Sequence, residues 1–198
     1  MGIDIGPIET TDGLVFHLDA GNRRSYSGSG LTASGLISGI GATLVGVGFS
    51  SSNGGSIVGL IQIPSITWRS VCLWVRISSS NAHPYYLIDG RNGIANSWFY
   101  SSASGSIGSA WSKLFVNTLQ ATINDSNGLS NTTLFERNKW LHIYLELSSA
   151  GTGDVHIASR YTDNEILNGN ISQAQFYNRA LTATEIFQNY HATKGRYK

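Results

Sequence analysis

The stretch NSWFYSSASGSIGSAWS, residues 96–112, sets Trp98, Tyr100 and Trp111 in a Gly/Ser-rich surround. An exposed indole or phenol can stack on the apolar face of a sugar ring while Asn and Ser bond its hydroxyls. The same three residues could instead cap a β core, since large aromatics usually bury. They could also serve a protein contact, where Trp and Tyr are enriched. Trp98, Tyr100 and Trp111 are therefore the candidate contact residues for carbohydrate or a protein partner.

The titratable residues offer less. Calcium wants about six oxygen ligands, usually with several carboxylates among them. The twelve acids are scattered, and no loop gathers three of them. Asp163 and Glu165, the nearest approach to a cluster, read as a solvated turn. Glycoside hydrolysis needs two facing carboxylates, and Glu146 is the only acid inside a clear strand. His142 and His156 could face each other across neighbouring strands as a weak metal or acid–base pair. A satisfied strand histidine is the simpler reading of each. No Gly-x-Ser-x-Gly elbow stands between a strand and a helix. The expectation is a non-enzyme with no catalytic residue, no metal and no cofactor, calcium being the one ion left to test.

The elements that would position these residues are strands. Leu14, Phe16 and Leu18 alternate with Val15, His17 and Asp19, the period of a strand with one buried face. The runs ATLVGVGFS and GGSIVGLIQIPS flank an Asn-Gly pair, a strong hairpin signal. TWRSVCLWVRISSS is apolar on both faces in its middle, as a central strand is. NKWLHIYLELSS and GDVHIASRY read as two further strands, and PYYLIDGR, SWFYSSAS, KLFVNTLQATIN, NTTLFE and ISQAQFYNRA complete the set. Strands without intervening helices predict an antiparallel all-β architecture. The exception is the close, RALTATEIFQNYHATKG. Thr182 and Glu185 have capping-box spacing, and Leu181 and Ile186 that of a hydrophobic staple. Ile186, Phe187 and Tyr190 share one face, and Gly195 suits a left-handed stop. A docked helix is predicted over about 183–194.

Composition narrows the class. The chain has 198 residues, 41% of them hydrophobic, enough for one well-filled domain. Only 13% are charged and the net charge is +1, so the surface must be Ser, Thr, Asn and Gly, with no basic run for nucleic acid. The lone Cys72 lies among apolar neighbours and reads as a core residue. The start shows no signal-peptide pattern and no run is long and apolar enough to insert in a membrane, so synthesis in a host cytoplasm without secretion is expected.

Two ends of the chain carry a family resemblance. GNISQAQFYNRALTATEIFQNYHATKGRY resembles the closing signature of concanavalin A-like, laminin-G-like jelly-roll domains, through Gly169, Ile171, Tyr177, Asn178, Arg179, Ala180, Leu181, Glu185, Ile186 and Tyr190. Trp74–Val75 and Lys139–Trp140–His142 resemble two of its inner strands. GLVFHLDAGNRRSYSGSG is similar to the opening of such domains in structural proteins of tailed bacteriophages, through Leu18–Asn22, Ser25, Tyr26 and Gly28–Gly30. The acidic residues that would be calcium ligands in that superfamily are missing from GGSIVGLIQIPS.

The resemblance implies an all-β, two-sheet antiparallel jelly-roll sandwich with one short C-terminal α-helix. Residues 1–12 would be an N-terminal arm and residues 13–198 a single domain. The implied role is a virion structural protein, a capsid decoration or a fibre or tail appendage. Its partners would be other virion proteins and copies of itself, as trimers or on a lattice. The alternative is a lectin-like module for host surface glycans.

Overall fold

The structure, a computed structural model, describes residues 8–50, 55–79, 85–101, 106–123, 135–163 and 165–197. It is mostly β, with one short helix near the C-terminus among the described residues. The strands are β1 (Leu14–Asp19), β2 (Thr32–Ser34), β3 (Gly41–Ser50), β4 (Ser56–Ile77), β5 (Tyr85–Asp89) and β6 (Trp98–Ser101). They continue as β7 (Ser106–Ile107), β8 (Trp111–Val116), β9 (Leu119–Ala121), β10 (Trp140–Ile157) and β11 (Gly169–Tyr177), before helix α1 (Ala183–Thr193). All pairings are antiparallel and join into one hydrogen-bonded sheet.

Two strands are far longer than their sequence suggests. The runs before and after Pro64 are one strand, β4, and the runs before and after Gly151 are one strand, β10. Their mutual register shifts between Gly153 and Val155, so Pro64 and Ser65 lie opposite Asp154. Proline has no N–H to give a ladder, and a bulge is where a strand tolerates it. The first half of β4 pairs with β3 and the second half with β11. The first half of β10 pairs with β8 and its end with β5. The β3–β4 hairpin forms with Ser50 opposite Ser56, its Asn53–Gly54 turn lying outside the described residues. So does most of the strand expected at 131–136.

One core cluster draws on both strand sets. It takes Phe16 and Leu18 from β1, Leu44 from β3, Leu87 from β5, Leu114 from β8 and Phe176 from β11. Trp68 sits among them with no exposed surface, its ring 5.2 Å from Phe176 and 5.7 Å from Trp111. Burying side chains of this size contributes roughly 1.5–3 kcal/mol each.

Helix α1 covers the other side of the β4–β10–β11 ladder. Thr182 caps it, accepting from the Glu185 N–H, while the Glu185 carboxylate accepts from the Thr182 N–H. Leu181 and Ile186 are buried together with Cys72, Phe115, Tyr144 and Tyr177. Cys72 is 2% exposed, and burial pushes its thiol up to about 12, so it is inert. Asn189 and Thr193 are buried too, which an apolar-face reading misses. Asn189 donates to the Tyr177 hydroxyl and accepts from the Thr10 N–H, and Thr193 accepts from the Trp74 indole.

Gly195 does not take the left-handed stop. The chain continues as a 3-10 turn over Lys194–Arg196. That carries Arg196 to a two-pronged ion pair with Asp19 and stacks Tyr197 on Trp74. It also covers the face of β1 expected to be open, leaving His17 and Asp19 buried. Residues 8–12 are pinned back on the same helix: Gln188 donates to the Ile8 carbonyl and Asp12 pairs with Arg179. Residues 1–7 of the expected arm lie outside the described residues.

His142 and His156 do not face each other, because both lie on β10, near its opposite ends. His142 is 1% exposed, between the rings of Trp74 and Tyr190, and its Nδ1 has no partner. Burial holds it neutral down to about pH 3, against an ordinary 6.5. Burial also lowers His17. A histidine lowered by folding takes its proton first in the unfolded chain, so stability is lost as pH falls from 6.5 toward 3. Each such histidine adds at most about 1.4 kcal/mol per pH unit. Urea unfolding at a series of pH values should show this loss, and His142→Phe should flatten the slope between pH 6.5 and 4.5. Below 4.5 the loss of Glu185, which Arg179 and the cap hold down to about 2, should persist in the variant.

Candidate functional site

The ladders set one row of side chains across six strands. Thr32 pairs with Thr43, Thr43 with Gln62, Gln62 with His156, His156 with Asp89, and Asp89 with Trp98. Directly opposed residues in antiparallel strands share a face, so the six lie on one side of the sheet. That side is polar at the β2–β3 end and aromatic at the β6 end. Beneath it, Leu44, Ile61, Ile63, Ile157 and Ile88 point into the core.

Two turns build the middle of the row. The first, residues 90–97, is closed by the Gly90 N–H donating to the Ser97 carbonyl and is seated on β10 by the Asp154 N–H donating to the Asn92 carbonyl. Gly93 has φ +129°, and a Cβ there would stand 2.5 Å from the Gly153 Cα. Only glycine fits that approach. The turn aims Arg91 back at Asp89, which is wholly buried. Arg91 Nε and one terminal nitrogen grip both Asp89 oxygens, at 3.0 and 2.5 Å. That pairing outweighs its burial, which acts in the opposite direction, and raises the guanidinium above its ordinary pKa. The second turn, 158–163, comes over from the end of β10. Its Tyr161 N–H donates to Asp89 at 3.2 Å. Ala158, Asp163 and Glu165 all have left-handed backbone, a cost that packing must offset and that often accompanies functional turns.

Arg91 is the centre of an aromatic shelf. Its guanidinium lies 5.1 Å from the Tyr86 ring, 5.1 Å from Tyr161 and 5.8 Å from Trp98. Tyr100 packs 4.8 Å from Tyr86 and 6.3 Å from Trp98. Trp98 and Tyr100 are half-buried and Tyr161 is 41% exposed. Two of the three residues singled out in the sequence thus come together on this face. Trp111 does not join them. It is 4% exposed, packs on Trp68, and donates its indole N–H to the Trp98 carbonyl. Trp111 supports the strand behind the shelf and cannot meet a ligand there. Sequence pattern missed Tyr86, Arg91 and Tyr161, which come from separate segments. The one signal was the Asp-Gly-Arg turn after β5.

The polar end is a cleft of about 250 Å³ lined by Thr43, Gln62, Pro64, Asp154 and His156. Asp163 hangs over it, accepting from Gln62 at 2.8 Å. His156 Nδ1 is 3.2 Å from the same carboxylate but off the hydrogen-bonding direction. Asn92 donates to Asp154 at 2.6 Å. Among the described residues no three His, Cys, Asp or Glu gather as a metal ligand set would. The face therefore offers flat aromatic surface beside fixed hydrogen-bond donors and acceptors. Such an arrangement binds polyhydroxylated molecules without needing to react with them.

Solved structures share this fold. A Trypanosoma rangeli sialidase mutant displaying trans-sialidase activity matches with a TM-score of 0.64 at 11% identity, over 94% of this chain and 34% of that one. The chain thus spans about a third of the sialidase's length. Domain 4 of AbnA, a GH43 extracellular arabinanase from Geobacillus stearothermophilus in complex with arabinotriose, matches with a TM-score of 0.59. Its identity is 15%, over 89% of this chain and 98% of that domain. The binding domain of Paraclostridial Mosquitocidal Protein 1 matches with a TM-score of 0.54 at 12% identity, over 90% of this chain and 52% of that one. No family model and no curated protein matches the sequence.

Asp89→Ala would leave the Arg91 charge packed among rings without its counter-ion. Removing one partner of a buried pair costs about 3–5 kcal/mol, and the residual exposure of Arg91 places this variant near the lower end. Urea unfolding should show the loss, and near-ultraviolet circular dichroism should report a loosened Trp98 environment.

Proposed function

We propose that the chain is a non-catalytic carbohydrate-binding module whose ligand lies on the Trp98–Gln62 face. One observation carries this reading: an open aromatic shelf and a hydrogen-bonding cleft stand side by side on the same side of one sheet. Sugars present apolar C–H faces and equatorial hydroxyls together, and this face is complementary to both. The arabinanase domain, matched over nearly its whole length and bound to arabinotriose, supports the reading. So does the similarity to the Trypanosoma rangeli sialidase mutant with trans-sialidase activity.

The absence of catalysis is part of the proposal. Each carboxylate on the face is engaged by a donor: Asp89 by Arg91, Asp163 by Gln62 and Asp154 by Asn92. Glu146 is buried and held by Lys113 and the Tyr144 hydroxyl. These acids are set as acceptors, not as a proton-donating pair.

We also read the sheet as folded over into a two-layer jelly roll. The single core shared by β1, β3, β5, β8 and β11 supports that closure, as does the bond from Ala20 N–H to the Ser172 carbonyl. The virion role rests on the opening and closing motifs alone. On a particle, the same face would read host surface glycans, so the two readings meet in one activity.

A glycan array followed by calorimetry tests the proposal. Trp98→Ala and Tyr100→Ala should each weaken binding at least about tenfold, the loss of a central aromatic contact, in proteins that still unfold cooperatively. Trp111→Phe should leave affinity intact. Unaltered binding in the shelf variants would move the ligand elsewhere.

A further inference from the structure

The carbohydrate reading leaves open which class of glycan fits, and the charges on the face decide it. We propose that the face takes an uncharged saccharide of several units laid across the strands, and discriminates against acidic glycans. This deepening rests on the carbohydrate reading above.

The first line of argument is charge. An acidic sugar needs a cation whose donors are free to grip a carboxylate, usually an arginine fork. Two arginines border the shelf, and the charge of each is paired with an acid. Arg91 gives its Nε and a terminal nitrogen to Asp89, and its flat face lies against three rings. It works as part of the shelf. Arg160 pairs with Glu165 at 3.5 Å and lies over Tyr161. With these pairs cancelled, Asp154, half-buried, and Asp163, exposed, remain facing the cleft with no arginine or lysine partner among the described residues. His156, even when protonated, could offset only one of them. The face is therefore neutral to negative. It repels carboxylates and offers acceptors to hydroxyl protons, which a neutral sugar has in excess.

The second line is shape. The row from Thr32 to Trp98 crosses six strands, a span of roughly 24 Å at the usual strand spacing. That is the length of several sugar rings. Thr32 and Thr43 are exposed at one end, Gln62 and Asp163 line the cleft, Tyr161 stands midway, and Trp98 and Tyr100 close the far end. Contact groups are spread along the row, and its cleft is shallow and lined by residues of several strands. A chain can use all of them, and a single terminal sugar cannot.

Isothermal calorimetry on the full chain tests both parts. The probes are neutral cello-, malto-, xylo- and arabino-oligosaccharides of increasing length, with oligogalacturonides and sialyllactose as acidic counterparts, at low and high salt. The expected result is binding of at least one neutral series, with affinity rising with length and insensitive to salt, since no charge pair is formed. Trp98→Ala should abolish the gain from the longest oligomers. Asp154→Asn with Asp163→Asn should improve acidic oligomers several-fold relative to neutral ones, because it removes the repulsion. Tighter binding of the acidic probes, weakening with salt, would overturn the neutral class while leaving the carbohydrate reading intact. Affinity already maximal for a monosaccharide would overturn the extended mode. Binding of none of these probes, nor of any glycan on an array, would overturn the carbohydrate reading itself.

Discussion

The antiparallel ladder between β4 and β10 is the constraint on which the rest of the molecule depends. Both strands run unbroken through two neighbourhoods, and each changes its outer partner midway. Their backbone bonds therefore tie together two groups of strands that would otherwise need separate connections. The ladder absorbs the change at two register shifts, one at Pro64 and a second between Glu146 and Gly151. Trp68, close to these shifts and with no exposed surface, fills the space where Phe176 and Trp111 converge. A slip of one residue in this ladder would turn Val71, Leu73 and Val75 outward, and the helix-side and core-side faces would exchange.

That ladder also explains why the two faces differ in character. On the first half of β10, the C-terminal helix and the segment after it cover the sheet, so its polar groups turn to partners within the protein, the Nδ1 of His142 being an exception. Tyr144, Glu146 and Leu181 form one chain of bonds, and Thr10, Asn189 and Tyr177 another. On the second half no helix follows, and the turns at 90–97 and 158–163 cover only the middle of the face. Thr43 and Gln62 stay in solvent contact, and Trp98 and Tyr100 remain half-open. The low share of charged residues suits a surface that binds through hydroxyls and rings, because few competing ion pairs must be broken.

Asp89 links the scaffold to the face. A buried carboxylate is unfavourable unless its oxygens are occupied, and here Arg91 and the Tyr161 and Arg91 backbone amides occupy them. Two segments 72 residues apart are thereby brought to one point. The arginine in turn gives the rings of Tyr86, Trp98 and Tyr161 a shared surface to pack on. The order of the shelf is set by an ion pair beneath it as well as by contacts among the aromatics.

Local signals were legible wherever the chain interacts with itself nearby. The Thr182–Glu185 box, the Leu181–Ile186 staple, the β3–β4 hairpin and the burial of Cys72 follow from spacing and capping chemistry within a few residues. Strand alternation likewise set the antiparallel β class. What the residues could not show alone were the outcomes that depend on distant partners. Proline reads as a strand end, yet β4 passes through Pro64 because β4 itself bulges there, setting Pro64 and Ser65 opposite the single residue Asp154 of β10. Gly195 reads as a left-handed stop, yet Asp19 and Trp74 draw the chain into another turn. Trp98 and Trp111 look alike in sequence, and only the sheet decides that one lies on the outer face and the other in the core, since Trp98 pairs opposite Asp89 and Trp111 opposite the core residue Leu147. Capping and alternation are written in short-range backbone chemistry, so the sequence by itself determined the elements. Which face is covered, and so where a ligand can sit, depends on long-range register and burial, and that the tertiary structure decided.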